Sequence, residues 1–292
     1  MPGDATEYLV STQWLADHLG APGLAIVDAS WHLPTAQRDG HAEYLARHIP
    51  GAVFFDIDAI ADKSLGLPHM LPDPVAFSSA VRKLGIGDGM KIVVYDSLGL
   101  FSAPRVWWTF RAFGVRDVAV LDGGLPKWLA EDRPLAEGET MAKSRHFTAR
   151  LDHALIASLE DVRQASAVAS SAAGKAAAPQ IVDARAAARF RGDELEPRPG
   201  LRSGHIPGSR NFPWGDLLTD GRLRPAAELT AAFTAAGVDP AKPTIATCGS
   251  GVSAAIFALA MATTGRSGVA VYDGSWAEWG MRADLPIGQG PA

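Results

Sequence analysis

The amino-acid sequence predicts an α/β fold with tandem duplicated domains, each a parallel β-sheet flanked by helices. Short apolar runs typical of buried strands alternate with stretches of helical spacing, and this alternation is typical of a parallel sheet. Phrases from the first half also return in the second half in the same order. A chain of 292 residues is long enough for two domains of ordinary size.

The first copy shows the alternation of strands and helices. Ser11 or Thr12 can cap a helix that ends at Gly20, because a hydroxyl oxygen accepts from the free N–H groups of a first turn. A short buried strand is predicted next. The predicted strands lie at residues 24–28, 53–56, 91–96 and 118–121, and the further helices at residues 41–48 and 103–113.

Three phrases mark the duplication. The second-half counterparts of Ile26-Val27-Asp28-Ala29, His48-Ile49-Pro50-Gly51 and Leu121-Asp122-Gly123-Gly124 are Ile181-Val182-Asp183-Ala184, His205-Ile206-Pro207-Gly208 and Tyr272-Asp273-Gly274-Ser275. The offsets are 155, 157 and 151 residues, about half of the chain. Chance recurrence of short turns is the alternative, but three matches in order favour a duplication of one domain.

The repeats set the domain boundaries. We expect a first, non-catalytic domain at residues 8–135, a linker at residues 136–150, and a second, catalytic domain at residues 151–288. A helix is predicted at residues 155–163. Residues 165–179 are rich in alanine and serine, which indicates a low-complexity, mobile insertion in the second copy.

Composition excludes several classes of function. Apolar residues make up 47% of the chain, charged residues 20%, and the formal charge is −5, without a basic patch. These values argue against nucleic acid and anionic membranes as partners. We see no apolar run of the roughly 18 residues that a membrane span requires, and no signal peptide in the first seven residues.

The cysteine count restricts the chemistry further. A single cysteine, Cys248, cannot form an internal disulfide, a redox pair or a cysteine-based zinc site. We therefore expect a reducing compartment such as the cytoplasm, and neither a metal nor a cofactor.

Cys248 lies at a predicted strand-to-helix turn. Residues 244–247 are typical of a buried strand, and a helix is expected from Ser253 to about Gly265. Gly249 and Gly251 let the backbone curl so that successive N–H groups point inward, and the helix N-terminus adds partial positive charge. Such a site stabilises a thiolate, the nucleophilic form of cysteine. A buried structural cysteine is the alternative.

Three motifs resemble those of the two-domain rhodanese family. Tyr44 with the His48–Ala52 turn resembles the N-terminal signature, and the phrase from Val269 to Trp279 resembles the C-terminal one. The loop from Cys248 to Ala254 is similar to the active loop of the 3-mercaptopyruvate sulfurtransferases. The resemblance covers about residues 8–285 and implies two rhodanese domains with the active loop in the second.

The first copy lacks the nucleophile. Alignment of the two halves places Asp96 at the position of Cys248, and a carboxylate cannot carry a transferable sulfur atom. We expect the first domain to support one wall of the active-site cleft. A separate site around Asp96 is the alternative.

Two kinds of cysteine chemistry compete at this loop. Phosphatases of related fold place an arginine six residues after the cysteine, but here that residue is Ala254, so phosphoryl transfer lacks its cation. Sulfur transfer does not need that arginine. Cys248 would become a persulfide, held by the loop residues Gly249, Gly251, Val252 and Ser253, and pass the sulfur to a thiol or to cyanide.

The loop charge predicts the sulfur donor. Related thiosulfate-using rhodaneses carry cations after the cysteine, whereas Gly249 and Ser250 are neutral, which favours 3-mercaptopyruvate over thiosulfate. Arg189 and Arg198 match the family's substrate arginines, and guanidinium groups suit a carboxylate. Arg191 is expected at the surface. A solvated, salt-bridged loop is the alternative for all three arginines.

Asp58 and His69 match family segments that face the active loop. The resemblance implies a proposed triad of Ser250, His69 and Asp58 that handles the proton of the departing enolate. A structural carboxylate–histidine pair is the alternative. The resemblance implies a thiol acceptor such as thioredoxin, and a non-catalytic sulfur carrier is the competing function.

Overall fold

A computed structural model describes residues 8–170 and 179–291, which form two compact units. The first unit comprises the described residues up to Asp62 together with Leu71–Asp152 and Asp220–Leu223. The second unit comprises Lys63–Met70, His153–Thr219 and the described residues from Arg224 onward. The first seven residues, on which the signal-peptide expectation rests, lie outside the described part.

The first unit contains a five-stranded parallel sheet in the order β1-β5-β4-β2-β3. Its strands are β1 (Leu9–Val10), β2 (Leu24–Asp28), β3 (Ala52–Phe54), β4 (Lys91–Tyr95) and β5 (Val118–Leu121). Its helices are α1 (Thr12–Asp17), α2 (Gly40–Ala46), α3 (Ile57–Ile60), α4 (Pro74–Lys83), α5 (Ala103–Ala112) and α6 (Gly124–Ala130), with a 3₁₀ turn at Pro34–Ala36.

The second unit repeats this sheet in the order β6-β12-β11-β7-β8, again with parallel neighbours. Its sheet strands are β6 (Ile156–Ala157), β7 (Gln180–Asp183), β8 (Arg210–Asn211), β11 (Thr244–Thr247) and β12 (Ala270–Tyr272). The short strand β9 (Leu218–Thr219) follows β8 in the chain, and the next strand, β10 (Arg222–Leu223), groups with the first unit. The helices are α7 (Leu159–Ala169), α8 (Ala187–Arg191), α9 (Ala226–Ala235), α10 (Val252–Thr263) and α11 (Ser275–Trp279), with 3₁₀ turns at His153–Leu155 and Trp214–Leu217.

Matched by position, the strands have the same order in both sheets, so the prediction of two α/β copies is confirmed.

Local hydrogen bonds explain where several helices begin. Ser11 caps α1 by accepting from the Trp14 N–H at 3.0 Å, and Ser158 forms a capping box with Asp161 at the start of α7. Tryptophans lie in both cores: Trp128 and Trp279 are buried, and their indole N–H groups donate to backbone carbonyls.

The structure differs from the sequence prediction around the middle of the chain. Residues 136–150, predicted as a linker, group with the first unit, because His48 exchanges two 2.9 Å backbone bonds with Ala136 and the Asp88 N–H donates to His146. Residues 165–169, predicted as part of a mobile insertion, belong to α7. Residues 171–178 of that prediction lie outside the described part of the chain.

Two properties concern only the described ranges. Every helix in residues 8–170 and 179–291 is too short or too polar to cross a membrane. Within the same ranges, histidine, cysteine, aspartate and glutamate side chains form no group of three that could hold a metal ion.

Candidate active site

Cys248 follows β11, the middle strand of the second sheet, and precedes α10. Gly251 adopts a left-handed φ of 79°, which lets the chain turn sharply from the strand into the helix. Cys248 itself is 1% exposed. The N–H groups of Gly249, Ser250, Val252 and Ser253 donate to no other group in the described chain. These N–H groups are therefore available to an anion at this turn.

Helix α11 holds the loop in place. The N–H groups of Trp276 and Ala277 donate to the carbonyls of Cys248 and Gly249, both at 2.9 Å. Since these bonds hold the carbonyl side of the loop, the position of the Cys248 thiol depends on the start of α11.

Ser275 adds a contact that sequence reasoning missed. It is fully buried, has a φ of 49°, accepts from the Cys248 N–H at 3.2 Å and donates to the Tyr272 carbonyl at 2.7 Å. Gly124 occupies the matching position of the first copy with a φ of 53°. A serine where the repeat has a glycine was the sequence signal, because a side chain at left-handed φ costs free energy.

Arg189 lies beside the loop on the short helix α8. Its Nη2 atom is 3.1 Å from the point that a Cβ on Gly249 would occupy. Its side chain is 22% exposed, so the cation remains reachable from solvent. The structure thus brings one of the two predicted substrate arginines next to the cysteine turn.

Arg189 is linked through ion pairs to a series of buried charged side chains. Arg189 donates to Glu196, Glu196 also accepts from Arg185 at 2.7 Å, and Arg185 pairs with Asp183 at 2.6 Å. Burial lowers the pKa of Arg185, but the carboxylates of Asp183 and Glu196 outweigh burial and hold this pKa above its ordinary value. Sequence reasoning placed Asp183 only in a repeated phrase and missed both Arg185 and Glu196.

Arg198 contacts His69 in the same unit. Their Nη2 and Nε2 atoms are 3.3 Å apart, and the contact is a hydrogen bond when Nε2 accepts and the His69 proton is on Nδ1. His69 is 4% exposed and has an unusual left-handed φ of 61°. Arg191, expected at the surface, is 41% exposed and pairs with Asp193 at 2.6 Å.

Ser250 and His69 of the predicted triad are not hydrogen-bonded to each other in the described chain. Ser250 is buried, and its hydroxyl has no hydrogen-bond partner in the part of the chain that the structure describes. No hydrogen bond therefore joins Ser250 to His69. Asp58 lies in helix α3 of the first unit, where its Oδ2 accepts from the Trp31 indole at 2.8 Å.

Several known proteins resemble this chain in sequence and in structure. A family model described as "Rhodanese-like domain" matches residues 11–131 and 164–282. The 3-mercaptopyruvate sulfurtransferase of Escherichia coli K12 is 46% identical over 284 residues, 97% of this chain and 98% of the relative. The thiosulfate sulfurtransferase of Bos taurus is 44% identical over 283 residues, 94% of this chain and 92% of the relative. The crystal structure of SseA from Escherichia coli, a 3-mercaptopyruvate sulfotransferase, matches with a TM-score of 0.83 and 43% identity, covering 93% of this chain and 99% of that chain.

Proposed function

Since the chain belongs to the rhodanese-like family, as its motifs predicted, we propose that it moves the sulfur of 3-mercaptopyruvate onto Cys248 and releases pyruvate. The observation that carries this proposal is the turn itself. A single cysteine lies where four backbone N–H groups have no acceptor among the described residues and can hold an anion, with the Arg189 cation beside Gly249. The full-length similarity to a 3-mercaptopyruvate sulfurtransferase supports the same donor.

The proposed reaction has two halves. The Cys248 thiolate attacks the donor sulfur, a sulfur–sulfur bond forms, and the carbon–sulfur bond breaks with its electron pair on the pyruvate enolate. A proton then converts the enolate to pyruvate. A thiol removes the outer sulfur in the second half and regenerates Cys248. We propose a thiol such as thioredoxin as the acceptor and the cytoplasm as the location, because a lone persulfide-forming cysteine requires reducing surroundings.

The first unit supports the idea that this loop holds a negative charge. At the position of Cys248 it carries Asp96, whose carboxylate accepts from the N–H groups of Leu98, Phe101 and Ala103 at 2.7–2.9 Å. The first turn is the longer one, because α5 begins seven residues after Asp96 and α10 begins four residues after Cys248. The persulfide anion on Cys248 would receive from the second loop what the carboxylate receives from the first.

We propose that Arg189 and Arg198 bind the sulfur donor. A guanidinium binds a carboxylate with two parallel hydrogen bonds, and 3-mercaptopyruvate offers a carboxylate and a keto oxygen. Gly249 and Ser250 add no cation, so the turn lacks a second positive charge for the thiosulfate dianion. Ser250, His69 and Asp58 remain the proposed proton-handling residues, with Gly251, Val252 and Ser253 as proposed loop contacts.

The test measures pyruvate release from 3-mercaptopyruvate with dithiothreitol as the acceptor, beside thiocyanate formation from thiosulfate and cyanide. We expect kcat/KM to favour 3-mercaptopyruvate. A preference for thiosulfate would replace the donor in this proposal with that of the bovine relative. Sulfur loading without turnover on either donor would instead indicate a non-catalytic sulfur carrier.

A further inference from the structure

Glu196 is a buried carboxylate between two arginines. Its side chain is 2% exposed, its Oε2 accepts from Arg189 Nη2 at 2.5 Å, and its Oε1 accepts from Arg185 Nη1 at 2.7 Å. A carboxylate buried to this degree is expensive unless it is paired on both oxygens, as it is here. The loop that carries Glu196 is thus fixed to two cations, of which only Arg189 lies beside the cysteine turn.

Arg185, the buried partner of the Glu196 carboxylate, is itself held in place by several contacts. Arg185 is fully buried, binds Asp183 through Nε and Nη2, and donates from Nη2 to the Gly204 carbonyl at 2.8 Å. Its guanidinium also lies 4.3 Å from the centre of the Trp276 ring. Four sets of contacts hold this side chain, so Glu196 is held by a group that cannot move independently.

Arg189 differs from Arg185 in freedom. It is 22% exposed, and its Nη1 group makes no hydrogen bond in the described chain, while Nη2 and Nε are directed to Glu196. A free arginine side chain loses rotamer entropy when it is fixed. A carboxylate that fixes Arg189 before the substrate arrives removes part of that loss from the binding step.

We infer that Glu196 is a positioning residue, which holds Arg189 against the Cys248 turn so that a free edge of its guanidinium receives the carboxylate of the sulfur donor. The inference rests on the proposed function for the identity of the donor. The Glu196 charge also has an effect of opposite sign, because a carboxylate repels an incoming anion. The two effects have opposite signs, and an experiment can therefore separate them.

The first arm is a double-mutant cycle on steady-state kinetics with 3-mercaptopyruvate. Glu196→Gln, which keeps the shape and loses the charge, should raise KM roughly tenfold with a smaller change in kcat, as expected for loss of one charge-assisted contact. In the Arg189→Ala background the same change should have almost no effect, because Glu196 acts through Arg189. Glu194→Gln is the matched control, since Glu194 is exposed and its carboxylate makes no ion pair in the described chain.

The second arm does not depend on the donor. The rates of Cys248 alkylation by anionic iodoacetate and by neutral iodoacetamide are measured, and their ratio reports the cation beside the thiol. We expect Glu196→Gln and Arg189→Ala each to lower this ratio several-fold, and the double variant to match Arg189→Ala. A ratio that rises in Glu196→Gln would show that the carboxylate only opposes anions, and would overturn the inference.

Folding is checked by thermal melts, because Glu196→Gln weakens the pairing of buried Arg185. Glu196→Asp serves as the second variant, since it keeps the negative charge but withdraws the carboxylate by one methylene from both Arg185 and Arg189. Equal losses with and without Arg189, or an unchanged KM and alkylation ratio in a folded variant, would also overturn the inference. If the wild type releases no pyruvate, the proposed function fails, and the alkylation cycle alone decides the role of Glu196.

Discussion

Asp28 and Asp183 end matching strands of the two copies, and the two units stabilise them differently. Each aspartate is buried and accepts a 2.9 Å bond from the N–H group two residues later. That later residue is Ser30 in the first unit and Arg185 in the second. Burial raises the pKa of Asp28 to about 6, whereas Asp183 has the Arg185 cation in direct contact.

The turns that follow the middle strands, β4 and β11, also differ between the two units in how a negative charge is held. The first turn contains its own anion, the Asp96 carboxylate, and uses backbone N–H groups to bind it. The second turn carries Cys248, and the N–H groups of Gly249, Ser250, Val252 and Ser253 have no acceptor in the described chain. Both turns thus lie between the middle strand and the next helix, but the first is occupied by the protein's own carboxylate and the second leaves N–H groups available to a reacting anion.

The largest expected effect is on the nucleophile. Cys248→Ser should abolish turnover and leave the thermal melt unchanged, because a serine hydroxyl has no comparable anion at neutral pH. Mass spectrometry after incubation with the donor alone should show about 32 Da, one sulfur atom, added to the wild type and none to the variant. An unmodified wild-type mass would contradict the persulfide intermediate.

The filled turn should depend on its carboxylate for stability. Asp96→Ala leaves three N–H groups without their acceptor, at about 1–3 kcal/mol each, so the free energy of unfolding should fall by at least about 3 kcal/mol. Asp117→Ala is the control, since Asp117 forms an exposed pair with Lys91 and should cost about 1 kcal/mol or less. Equal midpoint shifts of the two variants in urea would show that Asp96 does not stabilise its turn.

Asp28, the buried aspartate with no cation beside it in the described chain, should make the free energy of unfolding depend on pH. Because the pKa of Asp28 is raised from 3.8 to about 6, the folded state prefers the protonated acid. Its contribution is fully present below pH 4 and is lost as pH rises through 6, a change of about 3 kcal/mol. Asp28→Asn should remove this slope between pH 4.5 and 7.5 in urea melts. A variant with the wild-type slope would assign the pH dependence to other groups.

The smallest expected effect concerns the two arginines that are proposed to bind the sulfur donor. Arg189→Ala and Arg198→Ala should each lower kcat/KM for 3-mercaptopyruvate about ten- to a hundredfold, since a charge-assisted bond contributes about 1.5–3 kcal/mol. Arg191→Ala provides the surface control, because Arg191 pairs with Asp193 away from these contacts. Wild-type kinetics in both site variants would remove these arginines from the proposed site.

The sequence by itself determined the fold and the position of the turn. Strands 24–28 and 244–247 matched the structure residue for residue, because short runs of β-branched and apolar residues bounded by turns are typical of strands in a buried sheet. The repeats predicted two copies with one strand order. Cys248 was recognisable because glycines and a helix start follow it within a few residues, and such local signals survive in a sequence.

Only the tertiary structure decided which side chains support the turn. Arg185, Glu196 and Ser275 come from three different loops or helices, 27 to 63 residues from Cys248, and no local pattern relates them to it. Pairing of buried charges depends on distances of a few ångströms that folding alone sets. For the same reason residues 136–150 looked like a linker in the sequence, while their backbone bonds to His48 and Asp88 make them part of the first unit.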